Sequence, residues 1–214
     1  MVHVPFAAQR SRLAVAIDRE LGPFDRRYLE ALIAVPRERF VHPEDEERSA
    51  QDMPLPLDAD GLATISAPHA YLLSFRLLAL GEGDNLLEFG AGSGYGAALA
   101  ATIVGASGRV VTVEIDPGLA AWARRTLADR PNVEVVEGDA APIGATAHGF
   151  PKIVVTFAIA ELPAAWLDAL PDGGRLVAPV GGRDQKLVLA TKRHGAVAQT
   201  SHGTVRYVKN RSGS

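Results

Sequence analysis

The chain has 214 residues, enough for one domain with a sizeable buried core. Its 47% hydrophobic and 22% charged residues are ordinary for a globular protein, and a net charge of -3 gives no electrostatic ground for a nucleic-acid or anionic-membrane partner. The lack of cysteine excludes disulfides, cysteine-ligated zinc and thiol catalysis.

Between Met1 and Leu21, the residues Arg10, Arg12, Asp18, Arg19 and Glu20 interrupt any apolar run of signal-peptide length. No later run approaches the roughly 20 apolar residues of a membrane span. A cytoplasmic monomer is the expectation. Leu13, Ala14, Ile17 and Leu21 share one helical face, and Gly22-Pro23 stops that helix. Asp25 can cap a second helix carrying Tyr28, Leu29, Leu32 and Ile33, closed before Pro36. Val35 to Pro68 is proline-rich and polar and is expected as loop and short turns, with the acidic run Glu44-Asp45-Glu46-Glu47 as a solvated face. Pro68 then opens a helix through Leu80 that Gly81 ends.

Beyond Gly81 strands and helices alternate. Strands are expected at Asn85–Phe89, Arg109–Val113, Val133–Val136, Ile153–Phe157, Arg175–Pro179, Leu187–Thr191 and Thr204–Val208. Helices are expected at Gly96–Val104, Pro117–Ala128 and Pro163–Leu170. This is the pattern of a doubly wound, Rossmann-like α/β fold of about seven mostly parallel strands, preceded by N-terminal helices. No helix separates the last two strands, so an antiparallel hairpin is expected at one edge. Residues 1–80 are read as a helical and substrate-cleft segment packed on a cofactor-binding core at 81–214, the whole forming one compact domain.

Ligands of such sheets lie at the carboxyl ends of the strands. Gly90-Ala91-Gly92-Ser93-Gly94 occupies the first such end, where glycines admit a sharp turn and close backbone approach, the following helix offers amide donors, and Ser93 adds a hydroxyl. A plain structural turn and a dinucleotide site are the rival readings of this loop. Counting from Gly90, Tyr95 breaks the dinucleotide spacing, although Gly92, Gly94 and Ala97 satisfy it in a later register. Glu88, Glu114 and Asp139 stand at three successive strand ends. Glu114 suits a ribose diol and Asp139 an adenine amino group. The loop lacks the Lys and Ser/Thr of a phosphate loop, so a ligand with a nucleoside end and no polyphosphate, S-adenosyl-L-methionine, fits best. Six histidines (His3, His42, His69, His148, His194 and His202) show no ligand spacing on any one element, so no metal is expected.

Ala63-Thr64-Ile65-Ser66-Ala67-Pro68-His69 resembles a signature of the protein-L-isoaspartate O-methyltransferases. Val35-Pro36-Arg37-Glu38-Arg39-Phe40-Val41, Glu161-Leu162-Pro163, the stretch from Leu170 to Gly181, and Val205-Arg206-Tyr207-Val208 are similar to that family's other segments, in the same order. The resemblance implies S-adenosyl-L-methionine-dependent methylation of the α-carboxylate of L-isoaspartyl residues in damaged proteins or peptides, with S-adenosyl-L-homocysteine as product. The methyl ester would then cyclise to a succinimide. By that resemblance Ser66 is the active-site serine. Thr64, Ile65, Tyr71, Glu88, Gly90 to Gly94, Glu114, Ile115, Asp139 and Ala140 are expected to hold the cofactor, and Ser66, His69, Val205 and Tyr207 the substrate. Ser66 and His69 have a plainer reading as caps of the Pro68 helix. No nucleophile elbow surrounds Ser66, so it is expected to orient the carboxylate and not to attack.

Several positions depart from the family pattern. Leu57 to Leu62 forms a longer and more acidic loop, carrying Asp58 and Asp60. Lys209-Asn210 replaces the usual Pro-Leu, Ala140 a glycine and Pro151 an aspartate, and Phe157 and Ile159 stand where small residues are usual. These motivate two alternatives: a methyltransferase of the same lineage acting on another carboxylate or small molecule, and a cofactor-binding protein without turnover. A dinucleotide oxidoreductase comes last.

Overall fold

The computed structural model describes residues 5–210. Helices α1 (Phe6–Leu21) and α2 (Arg26–Ala34) open it, and the Asp25 side chain caps α2 by accepting from the Arg27 amide. The proline-rich stretch that follows is loop with two 3-10 turns, Arg37–Phe40 and Pro43–Arg48, and a short antiparallel pair, β1 (Leu55–Pro56) with β2 (Thr64–Ile65). The acidic run is not wholly solvated. Asp45 is buried, because the second turn sets Arg48 three residues on along the same face, 2.7 Å away.

Helix α3 (Pro68–Leu78) closes earlier than Gly81 suggests, because Ala79 adopts the left-handed conformation at φ 50. Side chains from elsewhere satisfy the carbonyls at its end. Lys152 Nζ donates to Leu78 O at 2.7 Å, Arg175 to Leu77 O at 3.0 Å, and the Tyr28 hydroxyl to Leu80 O at 2.8 Å. At the other end Ser66 does not cap. Ala67 occupies the N-cap position, and Asp52 accepts from the His69 amide at 3.0 Å.

The rest alternates: β3 (Asn85–Phe89), α4 (Tyr95–Val104), β4 (Arg109–Glu114), α5 (Pro117–Thr126), β5 (Val133–Glu137), α6 (Ala140–Ala145), β6 (Lys152–Val155), α7 (Ala164–Ala169), β7 (Arg175–Val180), β8 (Gln185–Arg193) and β9 (Ala196–Val205). The main sheet runs β5-β4-β3-β6-β7-β8-β9, parallel from β5 to β7 and antiparallel at β8 and β9. This is the expected doubly wound, mostly parallel seven-stranded sheet with an edge hairpin. Chain order reverses between β3 and β6, so a crevice opens above their carboxyl ends.

Alternate side chains of the central strands feed two cores. Leu86, Val110, Val154 and Val177 face the N-terminal helices and α4, whereas Leu87, Val111, Ile153 and Leu176 face Trp166 and α7. The first core runs unbroken from Leu13 to Leu187, so the N-terminal segment packs directly on the sheet. Leu72 and Phe75, both 0% exposed, each contribute about 1.5–3 kcal/mol by burial there.

The last strand corrects the sequence reading. It occupies Ala196–Val205, not Thr204–Val208, and Arg206 to Val208 leave the sheet. As an exposed edge with Gln199, Thr200 and Ser201, β9 shows no apolar alternation to read. Helix α6 was not foreseen, since its Pro142 and Gly144 read as loop.

Candidate active site

Four adjacent strand ends meet in one cleft of about 580 Å3, open mouth included. Gly90 and Gly92 come from the loop after β3, Glu114 and Ile115 from β4, Gly138 and Ala140 from β5, and Thr156 and Phe157 from β6. Leu62, Ala63 and Thr64 close it from the N-terminal segment, and Val208, Lys209 and Asn210 from the chain after β9.

The glycine loop turns here because glycine is required. Gly90 has φ 95, and a Cβ on it would stand 2.3 Å from Thr156 Oγ1. Thr156 donates to Gly90 O at 2.7 Å, stapling the loop to β6. Glu114 ties it to β4. Its Oε2 accepts from the Gly92 amide at 2.8 Å and its Oε1 from the Asp116 amide at 3.0 Å. Burial pushes the Glu114 carboxyl above its ordinary value, and the amide donors of Asp116 and Gly92 oppose that shift. Ile115 and Leu62, two of the exposed large apolar side chains, both line this cleft and present apolar surface to whatever enters it.

The expected site residues therefore divide. Thr64, Gly90, Gly92, Glu114, Ile115 and Ala140 line the cleft. Asp139 sits between two lining residues and caps α6 by accepting from the Ala141 amide at 2.9 Å. Ile65, Ala91, Ser93 and Gly94 lie in its supports; the Ser93 hydroxyl is buried and makes no hydrogen bond among the described residues, so it is not at the rim. Glu88 is displaced furthest. It is 1% exposed beneath α4, where it accepts from Thr112 Oγ1 at 2.6 Å and a Cβ on Gly96 would meet it at 2.1 Å. Strand alternation explains this, because Glu88 points to the same face as Leu86. Burial pushes its carboxyl up to about 8, partly offset by the Thr112 hydroxyl.

Ser66 is half a turn before α3, largely buried, with its main chain clamped on both sides. The amide donates to the Tyr71 hydroxyl at 3.2 Å, and the carbonyl accepts from Arg37 Nη2 at 3.1 Å. Burial raises the Tyr71 phenol, and the Glu88 carboxyl beneath it adds to that. Arg37, 1% exposed, gathers the whole segment. Its guanidinium also donates to the carbonyls of Ser49, Gln51 and Met53 at 3.0, 3.1 and 2.8 Å. His69 is half-exposed, and its Nδ1 lies 2.9 Å from Asp52 Oδ2. Burial alone would raise the Asp52 carboxyl, but hydrogen bonds from His69 hold it below the usual range.

The closing segment is built differently from the expectation. Val205 ends β9, and Val208, not Val205, reaches the cleft. The Tyr207 ring is turned towards Ser74 of α3, and burial pushes its phenol up to about 12. Sequence reasoning did not single out Thr156, although the rule of strand carboxyl ends applies to it as it does to Glu114. Nor did it single out Arg37 or Gln185 as supports. Both act by hydrogen-bonding distant main chain, which has no sequence period.

A sequence model of the Protein-L-isoaspartate(D-aspartate) O-methyltransferase (PCMT) family matches residues 14–214. The chain belongs to this family. Protein-L-isoaspartate O-methyltransferase 2 of Archaeoglobus fulgidus is 39% identical over 203 residues, covering 94% of this chain and 91% of that one. The Methanothrix thermoacetophila protein-L-isoaspartate O-methyltransferase is 38% identical over 181 residues, covering 84% and 85%. A solved protein-L-isoaspartate O-methyltransferase superposes with a TM-score of 0.82 at 26% identity, over 94% of this chain and 65% of that one. A Plasmodium falciparum structure described as the same kind of enzyme, in complex with S-adenosyl-L-homocysteine, superposes with a TM-score of 0.81 at 21% identity and shows the shared fold. Among the described residues, no helix is long and apolar enough to cross a membrane.

Proposed function

We propose that the protein is an S-adenosyl-L-methionine-dependent carboxyl methyltransferase that converts the α-carboxylate of L-isoaspartyl residues in damaged proteins to its methyl ester. The observation that carries this reading is the meeting of two segments in one cleft: the strand ends holding Gly90, Glu114 and Ala140, and Ala63 and Thr64, which open the family signature two residues before Ser66. The same reading makes the protein a cytoplasmic monomer that takes no nucleic acid.

The residues present fit the cofactor. The Gly90 turn leaves no room for a Cβ and admits close approach of main chain, Glu114 offers carboxylate oxygens to a ribose diol, and Ile115 offers an apolar face to a base. We assign Asp139 and Ala140, just after β5, to the adenine edge. When bound, the cofactor supplies a methyl group on a sulfonium, which is an activated leaving group.

The protein supplies position. An isoaspartyl α-carboxylate is already ionised near neutral pH, so no general base is needed. Ser66 donates a hydrogen bond that orients the carboxylate, and the Arg37 and Tyr71 clamp holds Ser66 for that task. Leu62, Ala63, Phe157 and Val208 give the cleft an apolar wall, and a cofactor and acceptor seated against it displace water that would otherwise stabilise the separated charges. Orientation of this kind supplies up to about 7–11 kcal/mol of a barrier. The ester then cyclises to a succinimide without help, which makes methylation a repair step.

Methyl-labelled cofactor with matched isoaspartyl and aspartyl peptides tests the reading. Base-labile ester on the isoaspartyl peptide alone is expected. The Phe157 ring in the cleft favours a second reading, a different carboxylate acceptor, and ester only on another acceptor would establish it. Ser66→Ala should lower turnover about tenfold, the worth of one hydrogen bond to a charged group, with cofactor affinity kept.

A further inference from the structure

The cleft wall holds one cation. Among the described lining residues Glu114 is the sole anion and Lys209 the sole cation. Both Glu114 oxygens already accept main-chain amides, whereas Lys209 makes no ion pair among the described residues.

Its backbone is nonetheless fixed. The buried Gln185 amide forms a two-point clamp on Tyr207, donating from Nε2 to the carbonyl at 3.1 Å and accepting the Tyr207 amide at 2.7 Å. Ala158, just beyond β6, donates to Val208 O at 2.7 Å and accepts from the Asn210 amide at 3.1 Å, closing a parallel bridge around Lys209. An exposed ammonium is thus held on a pinned main chain at the rim of the cleft. Pinning keeps the ammonium within reach of the cleft at little further ordering cost.

Strand order says which end of the cleft this is. Glu114, Ile115, Gly138 and Ala140 follow β4 and β5, on one side of β3, whereas Lys209 is bridged to the residue after Phe157, beyond β6 on the other side. The nucleoside-suited groups therefore lie at one end and the ammonium at the other.

We propose that Lys209 is the acceptor's carboxylate-binding group and so a specificity-determining residue; this rests on the carboxyl methyltransferase reading above. Its ammonium holds the carboxylate oxygen that is not being methylated. Asp58 and Asp60 stand in the loop leading into Leu62 and Ala63 of the same wall, and a cation here offsets their repulsion of an anionic acceptor. The carboxylate loses charge as the ester bond forms, so the ammonium binds the ground state at least as well as the transition state. Its removal should appear in KM and not in kcat.

The test uses the full chain with Lys209→Met, Lys209→Arg and Lys209→Glu. Steady-state kinetics on an isoaspartyl peptide are paired with S-adenosyl-L-homocysteine affinity by calorimetry. Lys209→Met should raise the peptide KM about tenfold, as expected for loss of a charge-assisted hydrogen bond, with kcat and S-adenosyl-L-homocysteine affinity within about twofold. Lys209→Arg should restore most of the loss, Lys209→Glu should exceed it, and added salt should raise KM for the wild type more than for Lys209→Met. A peptide KM indifferent to both Met and Glu overturns the proposal while ester formation by the wild type leaves the repair reading standing. Weakened S-adenosyl-L-homocysteine with unchanged peptide KM also overturns it, assigning the ammonium to the cofactor's own carboxylate. No ester from the wild type brings down the repair reading, and this inference with it.

Discussion

The two walls of the cleft are held in place by different physics. The cofactor wall is built from strand ends, and its shape follows from ladder hydrogen bonds and from a glycine turn stapled by Thr156 and Glu114. The wall we assign to the acceptor has almost no regular structure: the chain from Arg37 to Ser66 contains only two 3-10 turns and a two-residue strand pair. One guanidinium replaces the missing ladder, taking four carbonyls spread from Ser49 to Ser66. A wall made of sheet tolerates loss of any one side chain, whereas a wall gathered by one side chain does not.

Arg37→Met should therefore have the largest effect. It leaves the buried carbonyls of Ser49 and Ser66 without a donor, at about 1–3 kcal/mol each. At about 2–4 °C per kcal/mol for a domain of this size, thermal melting should drop by about 4–24 °C. Arg37→Lys should recover only part, since an ammonium cannot span four carbonyls in a planar fork. At temperatures where the variant is folded, peptide KM should rise more than S-adenosyl-L-homocysteine Kd. Equal losses in both would erase the distinction between the two walls.

Gly90→Ala is the matching break on the cofactor side. The positive φ and the approach to Thr156 Oγ1 cost about 1–3 kcal/mol, less than the loss at Arg37 because Thr156 is a small side chain that can turn away. Here S-adenosyl-L-homocysteine affinity should fall while peptide KM changes little, the reverse of Arg37→Met. Calorimetry on the folded variant checks it, and unchanged affinity would mean that the loop's curvature is not what shapes the site.

The same contrast explains what could be read from sequence. Strands β3 to β7, the glycine loop and the positions of Glu114 and Ala140 were legible because a sheet converts period and turn chemistry directly into position. Arg37's place as the centre of the acceptor wall was not, since its partners lie at unrelated spacings and are main-chain atoms. Edge strand β9 lacks the apolar face that would mark its bounds in sequence, and nothing in the sequence says that the Tyr207 ring turns towards Ser74. Glu88 was grouped with Glu114 by position alone. One residue of strand parity sends it into the core.

That parity makes the most discriminating prediction, and the one with no expected effect on cofactor. Glu88 ionises near 4.5 when unfolded and at about 8 when folded, because burial disfavours its charge. Between those values the folded protein binds the extra proton, so stability falls as pH rises from 4.5 towards 8 and levels off above. Gln resembles the protonated acid in shape and can accept the Ala97 amide while donating to Thr112 Oγ1, whose hydroxyl turns to suit. Glu88→Gln should therefore match the wild type near pH 4.5 and exceed it at pH 7 by up to about 3 kcal/mol, a Tm gain of several degrees. Its S-adenosyl-L-homocysteine affinity should not change. Melting curves across pH 4.5 to 9 with calorimetry at pH 7 decide it: a variant that melts in parallel with the wild type at every pH would deny the buried titration. A variant that loses cofactor would put Glu88 back in the site, because a carboxylate wholly inside the core has no route to a ligand in the cleft except by moving the Gly96 turn of α4 that covers it.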